Sequence, residues 1–115
     1  MICYLLSLTL ISRAEGFGAV LIKRLDKALV DGDTVYSVIT GSSINSNGKG
    51  VSLTMPKGNM QAETIREAYS HANRKPSEAF FVELHATGTA VGDPIEANAA
   101  GQVFSEDRKS DRVLR

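Results

Sequence analysis

The stretch from Ala79 to Glu96 constrains this chain more than any other. Phe80 to Leu84 is an apolar run broken only by Glu83, the pattern of a strand buried on both faces. His85, Ala86, Thr87, Gly88 and Thr89 follow as a loop of small residues around one imidazole. Asp93, Pro94 and Glu96 then have the spacing of a capping box with a proline at the first helical position. The spacing predicts Asp93 as the N-cap of a helix running from about Pro94 to Phe104. In a parallel α/β sheet, ligands bind at loops leaving the C-terminal ends of strands. This reading puts His85, Thr87 and Thr89 at a candidate site.

The rest of the chain alternates in the same way. Phe17 to Ile22 reads as a strand, with Gly16 and Gly18 at its start. Leu25 to Val30 reads as a short helix stopped by Gly32. Thr34 to Thr40 concentrates β-branched and aromatic residues and predicts another strand. Gly41 to Gly58 is a long polar loop. A phosphate-binding loop is excluded there, because Gly41 is too far from Gly48-Lys49 and Gly50 stands where a hydroxyl is needed. Ile65, Ala68, Tyr69 and Ala72 share one face of a helix that Asn59 starts and Asn73 ends. Arg74 to Glu78 is a connector. The charged tail from Ser105 to Arg115 reads as solvated, and Val113 and Leu114 as the beginning of a further strand. Strand, helix, strand, helix, strand, helix implies an α/β fold with a parallel or mixed sheet.

Composition narrows the function classes. Thirteen basic residues balance thirteen acidic ones in 115, so no charge imbalance points to nucleic acid. Cys3 is the single cysteine, which excludes an internal disulfide framework and a thiolate metal site. A reducing, cytoplasmic setting is the expectation. Residues 1–12 are apolar but too few to span a bilayer as a helix, with no basic residue ahead of them and no small-residue cleavage site. They fit a buried strand, or a chain start with no structural role, better than a secretory leader. No membrane partner is expected.

Each candidate residue has a plainer reading beside the chemical one. His85 fits a histidine held by backbone groups at a strand end, yet its small neighbours give access and the two threonines offer hydroxyls to a polar ligand. A neutral imidazole there could donate to a developing oxyanion, or act as acid or base. Asp93 and Glu96 could form a carboxylate pair, but capping explains them. His71 suits the C-terminal end of a helix dipole. Its separation from His85 has no metal-site logic, so no metal is expected. Cys3 has no base near it in sequence and apolar neighbours that favour the thiol.

Glu83-Leu84-His85-Ala86-Thr87-Gly88-Thr89 followed by Gly92-Asp93-Pro94-Ile95-Glu96 closely resembles the second active-site motif of β-ketoacyl synthases. These are the ketosynthase domains of type I polyketide and fatty acid synthases. The resemblance extends, in unbroken order, from Arg13 to Phe104. Glu15 to Leu25 is similar to the family's Glu-Gly strand, and Ala28 to Asp33 to its next helix and turn. Asn45, Gly48, Pro56 and Gln61 follow its long loop and helix. The form of the motif is most similar to modular or iterative polyketide synthases.

The resemblance implies a thiolase-like fold, of which this chain is a fragment with alternating strands and helices on a mixed sheet. Residues 1–12 fall outside it, and residues 13–115 form a partial domain spanning the end of the N-terminal half and the start of the C-terminal half. It implies an acyltransferase that extends an acyl thioester by decarboxylative condensation with a malonyl-type unit. The phosphopantetheine arm of an acyl carrier protein carries the substrates, and no cofactor is bound directly. The carrier and other synthase domains are the implied partners, and the parent domain is homodimeric. His85 matches the first of two catalytic histidines. Thr87 and Thr89 match contacts to the phosphopantetheine arm, while Gly88, Gly92, Asp93 and Glu96 are structural residues near the site. Two departures matter. The family's cysteine nucleophile, in an Ala-Cys-Ser type motif, has no counterpart here, and neither has its second histidine, in a Gly-His type motif. Alone, the chain is expected to be inactive, reflecting a truncated gene or gene model. The alternative is a non-catalytic module that binds a carrier or another part of a synthase.

Overall fold

The computed structural model describes residues 15–46, 48, 56–109 and 114. Among them are the helices α1 (Leu25–Val30), α2 (Gly58–His71) and α3 (Gly92–Ser105), with a short 3-10 turn at Pro76–Glu78. The readings of residues 1–12, Cys3 and Val113 lie outside the described residues.

Helix α2 follows from strong helix formers between Gln61 and Ala68. It starts two residues after Pro56, with Lys57 at the N-cap. Asn59 therefore lies inside the helix and does not cap it. The end behaves as predicted. Asn73 takes a left-handed φ of 52°. Its N–H donates to Ser70 O at 3.0 Å, and the Arg74 N–H donates to Tyr69 O at 3.0 Å. These are the paired bonds of a Schellman stop. Helix α1 ends in the same way. Gly32 has a φ of 71°, and the Asp33 N–H reaches Ala28 O at 2.9 Å. Lys23 bridges Asp31 and Asp33 outside that turn.

The predicted face of α2 is the one that packs. Ala62, Ala99 and Val103 form the core, with Ile65 against them. Tyr69 meets Phe104 edge to face, ring centroids 5.5 Å apart at 79°. Small residues keep α2 and α3 close: a Cβ on Gly58 would already touch Ile95 Cγ2 at 3.4 Å and Ala99 Cβ at 3.9 Å. The segment after Thr40 lies along α2 beside Ala68 and Ala72. A Cβ on Gly41 would come within 2.8 Å of Ala72 N, so the backbones meet there without room for a side chain. Asn45 Nδ2 donates to Met60 O at 2.9 Å, and Ser43 Oγ to Glu67 Oε2.

The sheet expectation is not met. Among the described residues there is no strand, and Phe17–Ile22, Thr34–Thr40 and Phe80–Leu84 carry no ladder. Their apolar side chains stand open: Phe17, Leu21, Ile22, Tyr36, Ile39 and Phe80 are all exposed. β-branched and aromatic runs report a preference for a covered pleated surface, and that preference does not itself supply the neighbouring strand. A cleft of about 510 Å³ remains between Val82 and Leu84 on one side and Ile65, Tyr69 and Phe104 on the other. Helix α1 packs on none of the other helices.

Two tail residues near the end of α3 make bonds back to the body of the chain. Arg66 pairs with Glu106 across the α2–α3 seam. Arg108 donates through Nε to Phe104 O and through Nη2 to Ala79 O, both at 2.9 Å. The second bond ties the end of α3 to the start of the segment that leads to His85.

Candidate active site

The loop from His85 to Thr89 closes onto the start of α3 through two carboxylates, Asp93 in its first turn and Glu96 just after it. Glu96 accepts from the backbone N–H of His85 through Oε1 at 2.7 Å and from that of Ala86 through Oε2 at 3.0 Å. Asp93 accepts from Gly88 N through Oδ2 at 2.9 Å and from Thr89 N through Oδ1 at 3.0 Å. Thr89 Oγ1 also donates to Asp93 Oδ1 at 2.9 Å. In return the Asp93 N–H donates to Thr89 O at 3.2 Å. Backbone N–H groups that bond a carboxylate make stronger bonds than neutral pairs do. Two adjacent pairs of N–H groups thus fix the loop from one helix turn.

This arrangement corrects the capping box. Helix α3 begins at Gly92 with Val91 at its N-cap, so Asp93 lies in the first turn. The two carboxylates turn back to the loop instead of serving the helix. The physical reason is competition for acceptors. The first N–H groups of a helix at the surface can be satisfied by water. The N–H groups of the loop gain charge-assisted bonds when a carboxylate turns toward them. Asp93 and Glu96 are the acceptors within reach. A sequence signal for this existed: five consecutive loop residues with N–H donors stand beside two acidic residues of the next turn.

Each glycine of the loop has its own reason. Gly88 has a φ of +88°, which lets the chain reverse between Thr87 and Thr89. A Cβ on Gly92 would collide with Thr89 Oγ1, so glycine there permits the Thr89–Asp93 bond. Ala86 is in the left-handed region as well, with φ 39°, and carries a methyl group there.

The electrostatics follow the bonds. Burial raises the Asp93 carboxyl, but the bonds from the Thr89 hydroxyl, Gly88 N–H and Thr89 N–H outweigh it, and the nearby His85 adds to them, leaving Asp93 below the usual aspartate range. His85 itself is exposed, and Thr87 and Thr89 are half-buried beside it. The structure therefore brings His85, Thr87, Gly88, Thr89, Gly92, Asp93 and Glu96 together in one turn-and-loop unit. The Thr89 hydroxyl hydrogen is committed to Asp93, so toward a ligand this oxygen is an acceptor.

His71 lies elsewhere. It is exposed, its Nδ1 is 2.8 Å from Ser42 O, and its Nε2 is 4.0 Å from Glu67. That ties the 42–43 segment to α2. No cluster of three His, Cys, Asp or Glu side chains able to hold a metal occurs among the described residues. No helix among them is long and apolar enough to cross a membrane.

Residues 36–114 match the family model described as β-ketoacyl synthase, C-terminal domain. The chain belongs to the β-ketoacyl synthase family. It is 50% identical over 94 residues to the highly reducing polyketide synthase srdA of Neurospora crassa, covering 82% of this chain and 4% of that protein. It is 50% identical over 97 residues to the highly reducing polyketide synthase NEC1 of Pyricularia oryzae, covering 84% of this chain and 4% of that protein. Among solved structures, the ketosynthase from module 6 of the bacillaene synthase of Bacillus subtilis superposes with a TM-score of 0.72 at 39% identity. That match covers 80% of this chain and 17% of the other. The chain thus spans about a twenty-fifth of the curated relatives and a sixth of that ketosynthase chain. These likenesses bear out the resemblance of the His85 motif to ketosynthases and place the chain as part of a thiolase-like fold.

Proposed function

We propose that this chain contributes the first-histidine loop of a polyketide synthase ketosynthase, with His85 as its catalytic group. The observation that carries this reading is the pair of carboxylate clamps: Asp93 and Glu96 hold the loop's backbone while His85 stays exposed beside Thr87 and Thr89. The substrates are an acyl thioester and a malonyl-type thioester on the phosphopantetheine arm of an acyl carrier protein. In the condensation, the bond between the malonyl carboxylate and the α-carbon breaks, and carbon dioxide leaves. The electron pair moves onto the thioester oxygen as an enolate. An N–H of the His85 imidazole donates to that oxygen, where charge develops. The enolate carbon then attacks the acyl thioester carbonyl and displaces its thiolate. Thr87 and Thr89 position the arm, with Thr89 acting as an acceptor. Gly88 and Gly92 shape the loop.

The nucleophile that holds the acyl group belongs to this scheme but has no counterpart in residues 36–114, which contain no cysteine. Residues 13–115 are read as a partial domain, completed by the sheet neighbours that Phe17–Ile22, Thr34–Thr40 and Phe80–Leu84 would pair with. The carrier and other synthase domains are its partners, in a homodimeric, cytoplasmic assembly.

A chimera tests the first reading. The bacillaene ketosynthase carrying residues 36–114 of this chain in place of its own segment should retain condensation. His85→Ala in that chimera should lower it on the order of 100-fold or more, the usual effect of losing an oxyanion donor or an acid–base group. Unchanged turnover in His85→Ala would overturn the assignment.

A further inference from the structure

In the charged tail, Glu106, Asp107 and Lys109 are exposed, whereas Arg108 is half-buried. Asp107, with a left-handed φ of 56°, turns the chain at the end of α3, and the Arg108 N–H donates to Ser105 O at 3.2 Å. The Arg108 side chain then returns toward the helix. Its Nε donates to Phe104 O and its Nη2 to Ala79 O, both at 2.9 Å. Phe104 O is one of the last carbonyls of α3, which have no partner within the helix. Ala79 follows the turn at Pro76–Glu78, which packs on both α2 and α3. A guanidinium suits this place because its donors form a rigid fork that serves two carbonyls at once.

We propose that Arg108 is a positioning residue for His85, fixing the near end of the segment whose far end carries the imidazole. Phe80–Leu84 carries no ladder among the described residues, so its course from Ala79 to His85 is set by how its two ends are held. The far end is held by the bond from the His85 N–H to Glu96, about which the preceding peptide can still swing. The near end is held by Arg108 on Ala79 O. The same course places Val82 and Leu84, which wall the cleft opposite Tyr69 and Phe104. The Arg108 charge also lies near Tyr69, where it opposes the rise that burial gives the phenol. The direction in which the chain enters His85 is thus coupled to a side chain beyond the far end of α3. The proposal rests on the reading of His85 as the catalytic group, but its test needs no catalysis, so the two can fail separately.

The test is NMR of the full 115-residue chain with Arg108→Gln and Arg108→Lys. Arg108→Gln loses both the charge and the fork, whereas Arg108→Lys keeps the charge alone. Both should move the His85 ring signals and the Val82 and Leu84 methyl signals, with the larger shift in Arg108→Gln. The His71 ring signals should stay. Hydrogen exchange at the Gly88, Thr89 and Val103 amides should also stay, since Asp93 holds the first two and the core holds the third. A residue that only capped α3 would change exchange in the last turn of that helix and leave the His85 signals in place, and that result would overturn the proposal. An Arg108→Lys spectrum identical to the parent's would overturn it as well, because charge without the fork would then suffice. If Arg108→Gln unfolds the chain, seen as loss of Val103 protection, Arg108→Lys decides by the same signals. If both unfold it, the parent decides: nuclear Overhauser contacts from the Arg108 guanidinium to Ala79 are expected, and their absence contradicts the proposal. The expected shifts at His85 without any response to a carrier protein would leave this inference standing and remove the functional reading alone.

Discussion

At the scale of residues, two carboxylates, one in the site and one beside Arg66, hold their charge more firmly when folded. Asp93 and Glu106 both have folded-state values below the ordinary carboxylate range. In Asp93, hydrogen bonds from the 88–89 segment outweigh burial; in Glu106, the bond from Arg66 is the main cause. A depressed value means the folded chain holds its charge better than the unfolded one. Both contributions are therefore present above the unfolded values, about pH 4 to 4.5. They are lost as pH falls through the lower folded values. Acid unfolding followed by circular dichroism should show stability declining below about pH 4, and Asp93→Asn should flatten part of that decline. A decline of unchanged shape in Asp93→Asn would contradict the assignment. Gly92→Ala should destabilise by about 1–3 kcal/mol, because its methyl meets Thr89 Oγ1 and the loop must shift. Chemical denaturation measures this directly.

At the scale of elements, α2 and α3 are held by a narrow seam of small residues with one aromatic contact. Phe104 is 4% exposed and packs edge to face on Tyr69. Phe104→Ala should cost about 3–5 kcal/mol, read as a shifted denaturation midpoint with little change in slope. On the other side of α2, Gly41→Ala should cost about 1–3 kcal/mol, since its Cβ would press on the Ala72 backbone. The sequence made this level the most legible. The apolar face of Ile65, Ala68, Tyr69 and Ala72 and the stops at Gly32 and Asn73 follow from periodicity and from residues that tolerate left-handed backbone. The start of α3 departs from its cap spacing for a physical reason. A cap spacing shows that a carboxylate stands near a helix start, but not which N–H groups it will accept from. The competing loop at His85 to Thr89 decided that, and it is a tertiary feature.

At the scale of the whole molecule, the sheet expected from the sequence pattern is not formed among the described residues. Phe17–Ile22 and Thr34–Thr40 have β-favouring side chains, yet a strand exists only with a partner. Here those side chains remain exposed and α1 packs on no other helix. The chain covers 17% of the bacillaene ketosynthase chain it superposes on. The 85–89 loop is bonded at both ends although no sheet surrounds it among the described residues. Both clamps reach only from the 85–89 loop to the next helix turn, so the loop needs no distant part of the chain to be built. That locality explains why the motif alone pointed to the site, while the sheet could not be read from the same residues.

The central claim is that the His85 loop receives a substrate carried on a phosphopantetheine arm. NMR titration of the isotopically labelled chain with malonyl-loaded acyl carrier protein addresses it most directly. Shifts are expected at His85, Thr87 and Thr89 that are absent with the carrier lacking its arm and lost in His85→Ala. Equal responses to the loaded and arm-free carriers, or shifts confined to residues away from the 85–89 loop, would contradict it.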